Sequence, residues 1–144
     1  MAVVWGRKLD GKDGAMTEAD VVAFLFAKSG WRDTDSALKK AFKNAANYMF
    51  GHNGSGGGTT YHFDGKMVYH CTENRGEATV FFTCANGNIA SIVGIGEHSG
   101  PKSSTATYTL VWHSKSWKPT VVRPVRLENG TTVTRPVPTN QITL

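Results

Sequence analysis

Thr79-Val80-Phe81-Phe82-Thr83-Cys84-Ala85-Asn86-Gly87-Asn88-Ile89-Ala90-Ser91-Ile92-Val93-Gly94-Ile95-Gly96-Glu97-His98 is the stretch that decides the fold. Two apolar runs flank Asn86-Gly87, a dipeptide that adopts the backbone angles of a tight hairpin, so they read as antiparallel strands. The second run ends in two glycines followed by Glu97 and His98. A core hairpin therefore carries a titratable pair to its own end.

Outward from this hairpin, residues 59–72 form a second one, turning at Asp64-Gly65 and pairing Phe63 with Lys66. A loop centred on Arg75 joins it to a strand at 78–84, Asn86-Gly87 turns that strand into 88–98, and 105–113 supplies a fifth. Two helices precede the strands. Thr17 with Asp20 resembles a helix N-cap and acidic first turn. Val21, Val22, Phe24, Leu25 and Phe26 then give a short buried helix stopped by Ser29-Gly30. A second helix follows Asp33-Thr34-Asp35, with Leu38, Phe42, Ala45, Ala46 and Met49 on one stripe and Lys39, Lys40 and Lys43 off it.

The glycine-rich run at 51–58 reads as the linker between helices and strands; it lacks the Lys-Ser/Thr ending of a nucleotide-binding loop. Beyond Trp117-Lys118-Pro119 the chain is nearly mirrored about Asn129-Gly130, with prolines that exclude a central strand. The expected fold is α+β: two N-terminal helices packed on one face of a four- to five-stranded antiparallel meander sheet, with an extended proline-edged C-terminal arm. Residues 1–15 read as an N-terminal arm, 16–117 as the single domain and 118–144 as the extended arm or hairpin.

Composition fits one domain, since 144 residues with 40% apolar content build one core and not two. A formal charge of +5 and a pI near 9.4 favour anionic partners, nucleic acid before an acidic membrane surface. No run approaches the ~20 apolar residues that span a bilayer, and the first residues lack a signal peptide's apolar block. A soluble chain acting in the cytoplasm is expected. Cys71 and Cys84, about 17 Å apart along the ladder, are too distant for a disulfide.

Carrying the register through the strands sets Tyr61, Phe63, Val68, Val80, Phe82, Ile89, Val93 and Ile95 on a helix-covered face. His62, Met67, Tyr69, Phe81, Ile92, Gly94, Gly96 and His98 fall on the other, where the glycines leave open floor beside His98. His113, ending the fifth strand, reaches the same area. Glu97 joins His98 only if a bulge turns it. Imidazoles are the usual acids and bases near neutral pH, so the candidate catalytic set is His98, His62, His113, Tyr69 and Glu97. No ligand spacing supports a zinc site from the histidines, and no cofactor motif is present.

Val80-Phe81-Phe82, the Asn86-Gly87-Asn88 turn, Ile89-Ala90-Ser91-Ile92-Val93 and the terminal His98-Ser99-Gly100 resemble the strand, turn, strand and histidine loop of fungal guanyl-specific ribonucleases. The order of helices before a meander is similar to the wider set of barnase, EndoU-type nucleases, certain colicins and RelE-type toxins. That resemblance implies a metal-independent, toxin-like endoribonuclease without cofactor. His98 would be its general acid and His62 its base, with Arg75, Lys66 or Lys102 holding RNA and an inhibitor or immunity protein as partner. Two other classes stay open: a non-catalytic nucleic-acid- or protein-binding module, and an assembly protein that oligomerises through its terminal arms.

Overall fold

The computed structural model describes residues 8–9, 17–51, 57–72, 78–85, 89–99 and 107–143. Helix α1, Glu18–Ser29, starts with a reciprocal cap: the Asp20 amide donates to Thr17 Oγ1 and the Thr17 amide to the Asp20 carboxylate, both at 3.1 Å. It stops at Gly30, whose φ of 71° suits the left-handed cap and whose N–H donates to the Phe26 carbonyl. Helix α2, Ser36–Gly51, is capped by Asp35 Oδ1, which accepts from the Leu38 amide at 3.0 Å.

The strands are β1 Lys8–Leu9, β2 Gly57–Phe63, β3 Lys66–Thr72, β4 Ala78–Ala85, β5 Ile89–Ser99, β6 Thr107–His113, β7 Thr120–Arg126, β8 Thr132–Pro138 and β9 Gln141–Thr143. The fold is α+β. Its main sheet runs β2-β3-β4-β5-β6-β9, all antiparallel, with β1 added parallel to β5. The antiparallel path thus has six strands where four or five were expected, because the C-terminal tail returns to pair β9 with β6. Of the expected N-terminal arm, Lys8 and Leu9 are strand residues beside Ile89 and Ala90. Gly57 and Gly58, read as linker, belong to β2.

Asp64 and Gly65, with φ of 51° and 72°, form the expected tight turn and set Phe63 opposite Lys66. After it the register departs from expectation. A loop centred on Arg75 would set Val68 against Phe82; the residue opposite Phe82 is Tyr69. One residue of slip moves every side chain of a strand to the other face. Between β4 and β5 the pairing shifts again at a bulge, where Phe82 faces Ile92 but Phe81 faces Gly94.

Both faces of the sheet are consequently apolar. The helix side gathers Cys71, Val80, Phe82, Ile92 and Ile95 against Val21, Leu25, Phe42, Ala46 and Met49. The opposite side holds a second core of Val68, Phe81, Val93, Tyr108, Leu110, Trp117 and Ile142. Phe81 and Phe82, adjacent in sequence, are both fully buried on opposite sides. The sheet curls round this second core until its two edges meet, the Thr143 amide on β9 donating to the Tyr61 hydroxyl on β2 at 3.3 Å.

The tail is neither a loose arm nor an edge strand along its whole length. Trp117 and Ile142 are anchored in the second core, and between them β7 and β8 pair, among the described residues, only with each other. The ribbon is closed at its base by the Thr139 amide donating to the Pro119 carbonyl at 3.0 Å. Its far end turns at Gly130, where φ is 84° and the Leu127 amide donates to the Thr131 carbonyl at 2.8 Å. Prolines 124, 136 and 138 are tolerated because each ribbon strand has a free edge.

Candidate functional site

The histidines expected to work together lie apart. His62 pairs with Met67 on β2 and β3 and points to the helix side of the sheet, where it is exposed. His98 pairs with Tyr108 and points into the opposite, concave side, half-buried with its ring edge-on to Tyr108 at 5.2 Å. Three strand spacings, about 14 Å, also separate β2 from β5. An acid and a base serving one phosphoryl group must both come within hydrogen-bonding reach of it. His62 and His98 do not.

His113 shares His98's side but pairs with Gly94, four residues back along β5 and about 13 Å away at the usual rise. It is exposed, with Nδ1 2.9 Å from its neighbour Ser114's carbonyl oxygen. Tyr69 is on the helix side, tilted against Phe82 at 6.0 Å and packed onto the first core. Glu97 is exposed and, opposite Thr109 in a regular stretch of ladder, faces away from His98. Lys66 makes an ion pair with Asp64 at 3.6 Å across the turn. Arg75 and Lys102 lie outside the described residues, as does His52.

The glycines expected to leave open floor are instead covered. A Cβ on Gly94 would stand 2.8 Å from Trp117 Cζ3, and one on Gly96 3.0 Å from Phe81 Cε2 and 3.1 Å from Tyr108 Cβ. Both glycines make room for aromatic rings of the second core. His70, the one histidine with a displaced pKa among the described residues, is pushed below the usual imidazole range by burial, against a hydrogen bond from Nδ1 to the Gly57 carbonyl at 2.8 Å. That contact ties β2 to β3 at the sheet edge. Among the described residues no three His, Cys, Asp or Glu side chains group as metal ligands, and no helix is long and apolar enough to cross a bilayer.

The strongest concentration of chemistry is on the β7–β8 ribbon, where Arg123 stands directly opposite Arg135. Both are exposed and neither forms an ion pair among the described residues. On the same ribbon face Val121 pairs with Val137 and Val125 with Val133, each half-buried. The reverse face carries Val122, 67% exposed, with Thr132, Thr134 and Arg126. Like charges in direct opposition destabilise a ribbon by a few tenths of a kcal/mol or more, and the flanking valine pairs offset that cost. The sequence came within one position of this pairing: a mirror about Asn129-Gly130 sets residue 123 against residue 136, whereas the ladder sets it against Arg135.

No family model matches the chain, and neither curated proteins nor solved structures give a significant match.

Proposed function

We propose that this domain is a nucleic-acid-binding module that grips the phosphate backbone with its β7–β8 ribbon. The observation that carries the reading is the Arg123–Arg135 pair, without an ion pair among the described residues, at the centre of an exposed two-stranded ribbon. A phosphate bridging the two guanidiniums converts their repulsion into two charge-assisted contacts. Residues 118–144 hold Lys118, Arg123, Arg126 and Arg135 against the single carboxylate Glu128, so most of the chain's surplus charge of +5 resides there. Seven residues per strand give a ribbon about 23 Å long, and two strands fit a major groove about 12 Å wide.

Fluorescence anisotropy with labelled duplex DNA, duplex RNA and single-stranded RNA, in EDTA and across a salt series, tests the proposal. Binding should weaken steeply with salt. Replacing Arg123 and Arg135 together by alanine should lower the log–log slope by about 1.8, the counterions released by two phosphate contacts on a duplex. Absence of salt-dependent binding to all three ligands, or a slope untouched by the double substitution, defeats it. The same tubes decide the catalytic alternative: RNA cut in EDTA by the unmutated chain and spared by His98→Ala would restore the endoribonuclease. A mass that rises with concentration and falls on removing the ribbon would favour assembly through the tail.

A further inference from the structure

The first turn of α1 to the start of α2 enclose an open groove of about 940 Å³ that neither catalysis nor the ribbon uses. Its floor is apolar, formed by Val22, Phe26 and Trp31; Arg32 on its rim has Asp33 beside it and Glu18 stands at the α1 end, while the α2 side presents Lys39 and Lys43 with no acid of that helix on the groove. Trp31 is held rigidly, its ring stacked on Phe42 with centroids 6.0 Å apart and its amide donating to Ser29 Oγ at 3.2 Å. Lys39 and Lys43 are one helical turn apart, exposed and without an ion pair among the described residues, a spacing at which like charges repel. Along α1 the groove extends from Glu18 to Ala27, about 14 Å or two and a half turns.

We infer that this groove docks an amphipathic helix of a protein partner, with its apolar stripe on Val22, Phe26 and Trp31 and acidic residues along the edge that meets Arg32, Lys39 and Lys43. An open channel of helical length with a preformed aromatic wall suits helix-in-groove recognition, in which anchors at i, i+3, i+4 and i+7 enter the apolar floor. Lys39 and Lys43, without an ion pair among the described residues, select the charge of the helix flank. The inference is independent of the ribbon: it uses the opposite end of the chain and a different class of partner.

The probe is a synthetic 18-residue helix with leucines at those spacings and glutamates on its flanks, together with a twin in which lysines replace the glutamates. Binding is followed by chemical-shift changes in the intact chain. The glutamate peptide should bind, with shifts centred on Val22, Phe26 and Trp31, and the lysine twin at least about fivefold more weakly, the scale of a few exposed ion pairs. Lys39→Glu with Lys43→Glu, exposed substitutions whose fold is checked by far-ultraviolet circular dichroism, should reverse that preference. Equal binding of both peptides, shifts elsewhere, a preference that the charge reversal leaves unchanged, or binding to anionic phosphatidylglycerol vesicles but to neither peptide overturns the inference.

Discussion

Replacing Gly94 by alanine tests whether the concave side of the sheet is a packed core or an open surface. The new Cβ would stand 2.8 Å from Trp117 Cζ3 and 3.2 Å from Leu110 Cδ2. Carbon contacts are comfortable from about 3.5 Å, so the indole has to retreat by roughly 0.7 Å. It has little room, being 2% exposed and flanked by Phe81 and Tyr61 with ring centroids at 6.2 and 6.5 Å. Overpacking of this kind costs about 1–3 kcal/mol. Removing a glycine from a strand interior returns about 0.5–1 kcal/mol. The clash wins, and a net loss of about 1–2 kcal/mol is expected. In a Trp117→Phe background the clashing carbon is absent, so Gly94→Ala should be neutral or slightly stabilising there. The coupling between the two sites should then be about 1–2 kcal/mol. Urea unfolding followed by far-ultraviolet circular dichroism measures all four corners of the cycle without relying on the indole that is changed. Equal losses in both backgrounds, or no loss in the first, would refute a packed concave side.

Two further expectations follow from the same architecture. Phe81→Ala and Phe82→Ala should each cost about 3–5 kcal/mol in a urea titration, because both rings are fully buried on opposite faces; one silent substitution would mean that one face is solvent. His70, neutral and pushed below its usual value near 6.5 by burial, binds fewer protons in the folded chain than in the unfolded one. Its contribution is therefore fully present above that value and is lost as pH falls through it toward the folded pKa. The urea midpoint of the unmutated chain should drop more between about pH 7.5 and pH 5 than that of His70→Gln, and parallel curves would contradict the assignment.

What the sequence disclosed follows the range of the interactions. Both helix starts, the glycine stop of α1 and the Asp64-Gly65 turn are set by residues within four positions of one another, and all were legible. Face assignment was not. It needs one solvent side to make the period-two pattern informative, and β4 reads Thr79-Val80-Phe81-Phe82-Thr83 with every one of these residues buried. Without that contrast only loop geometry fixed the register, and a one-residue error there carried His62 and Tyr69 onto the wrong side. The covering of Gly94 was hidden for a different reason. Trp117 lies 23 positions downstream and reaches the glycine only because the chain turns back after β6, through the Ser114 amide donating to the Val93 carbonyl at 2.8 Å.

The tail explains why the chemistry sits where it does. An isolated two-stranded hairpin is marginal in water, and this one opposes two arginines besides, so its order depends on what holds its base. That base is the second core: Trp117 enters it before β7 and Ile142 after β8, both almost fully buried. The same two residues that close the concave side against solvent thereby fix the ribbon's position. On the proposed reading, a ligand that binds only the ordered ribbon would stabilise the tail's docking by mass action, and loosening the core would weaken that binding without touching an arginine. Filling the inside of the sheet and presenting charge outside it are, in this fold, one structural act performed by residues 117–142.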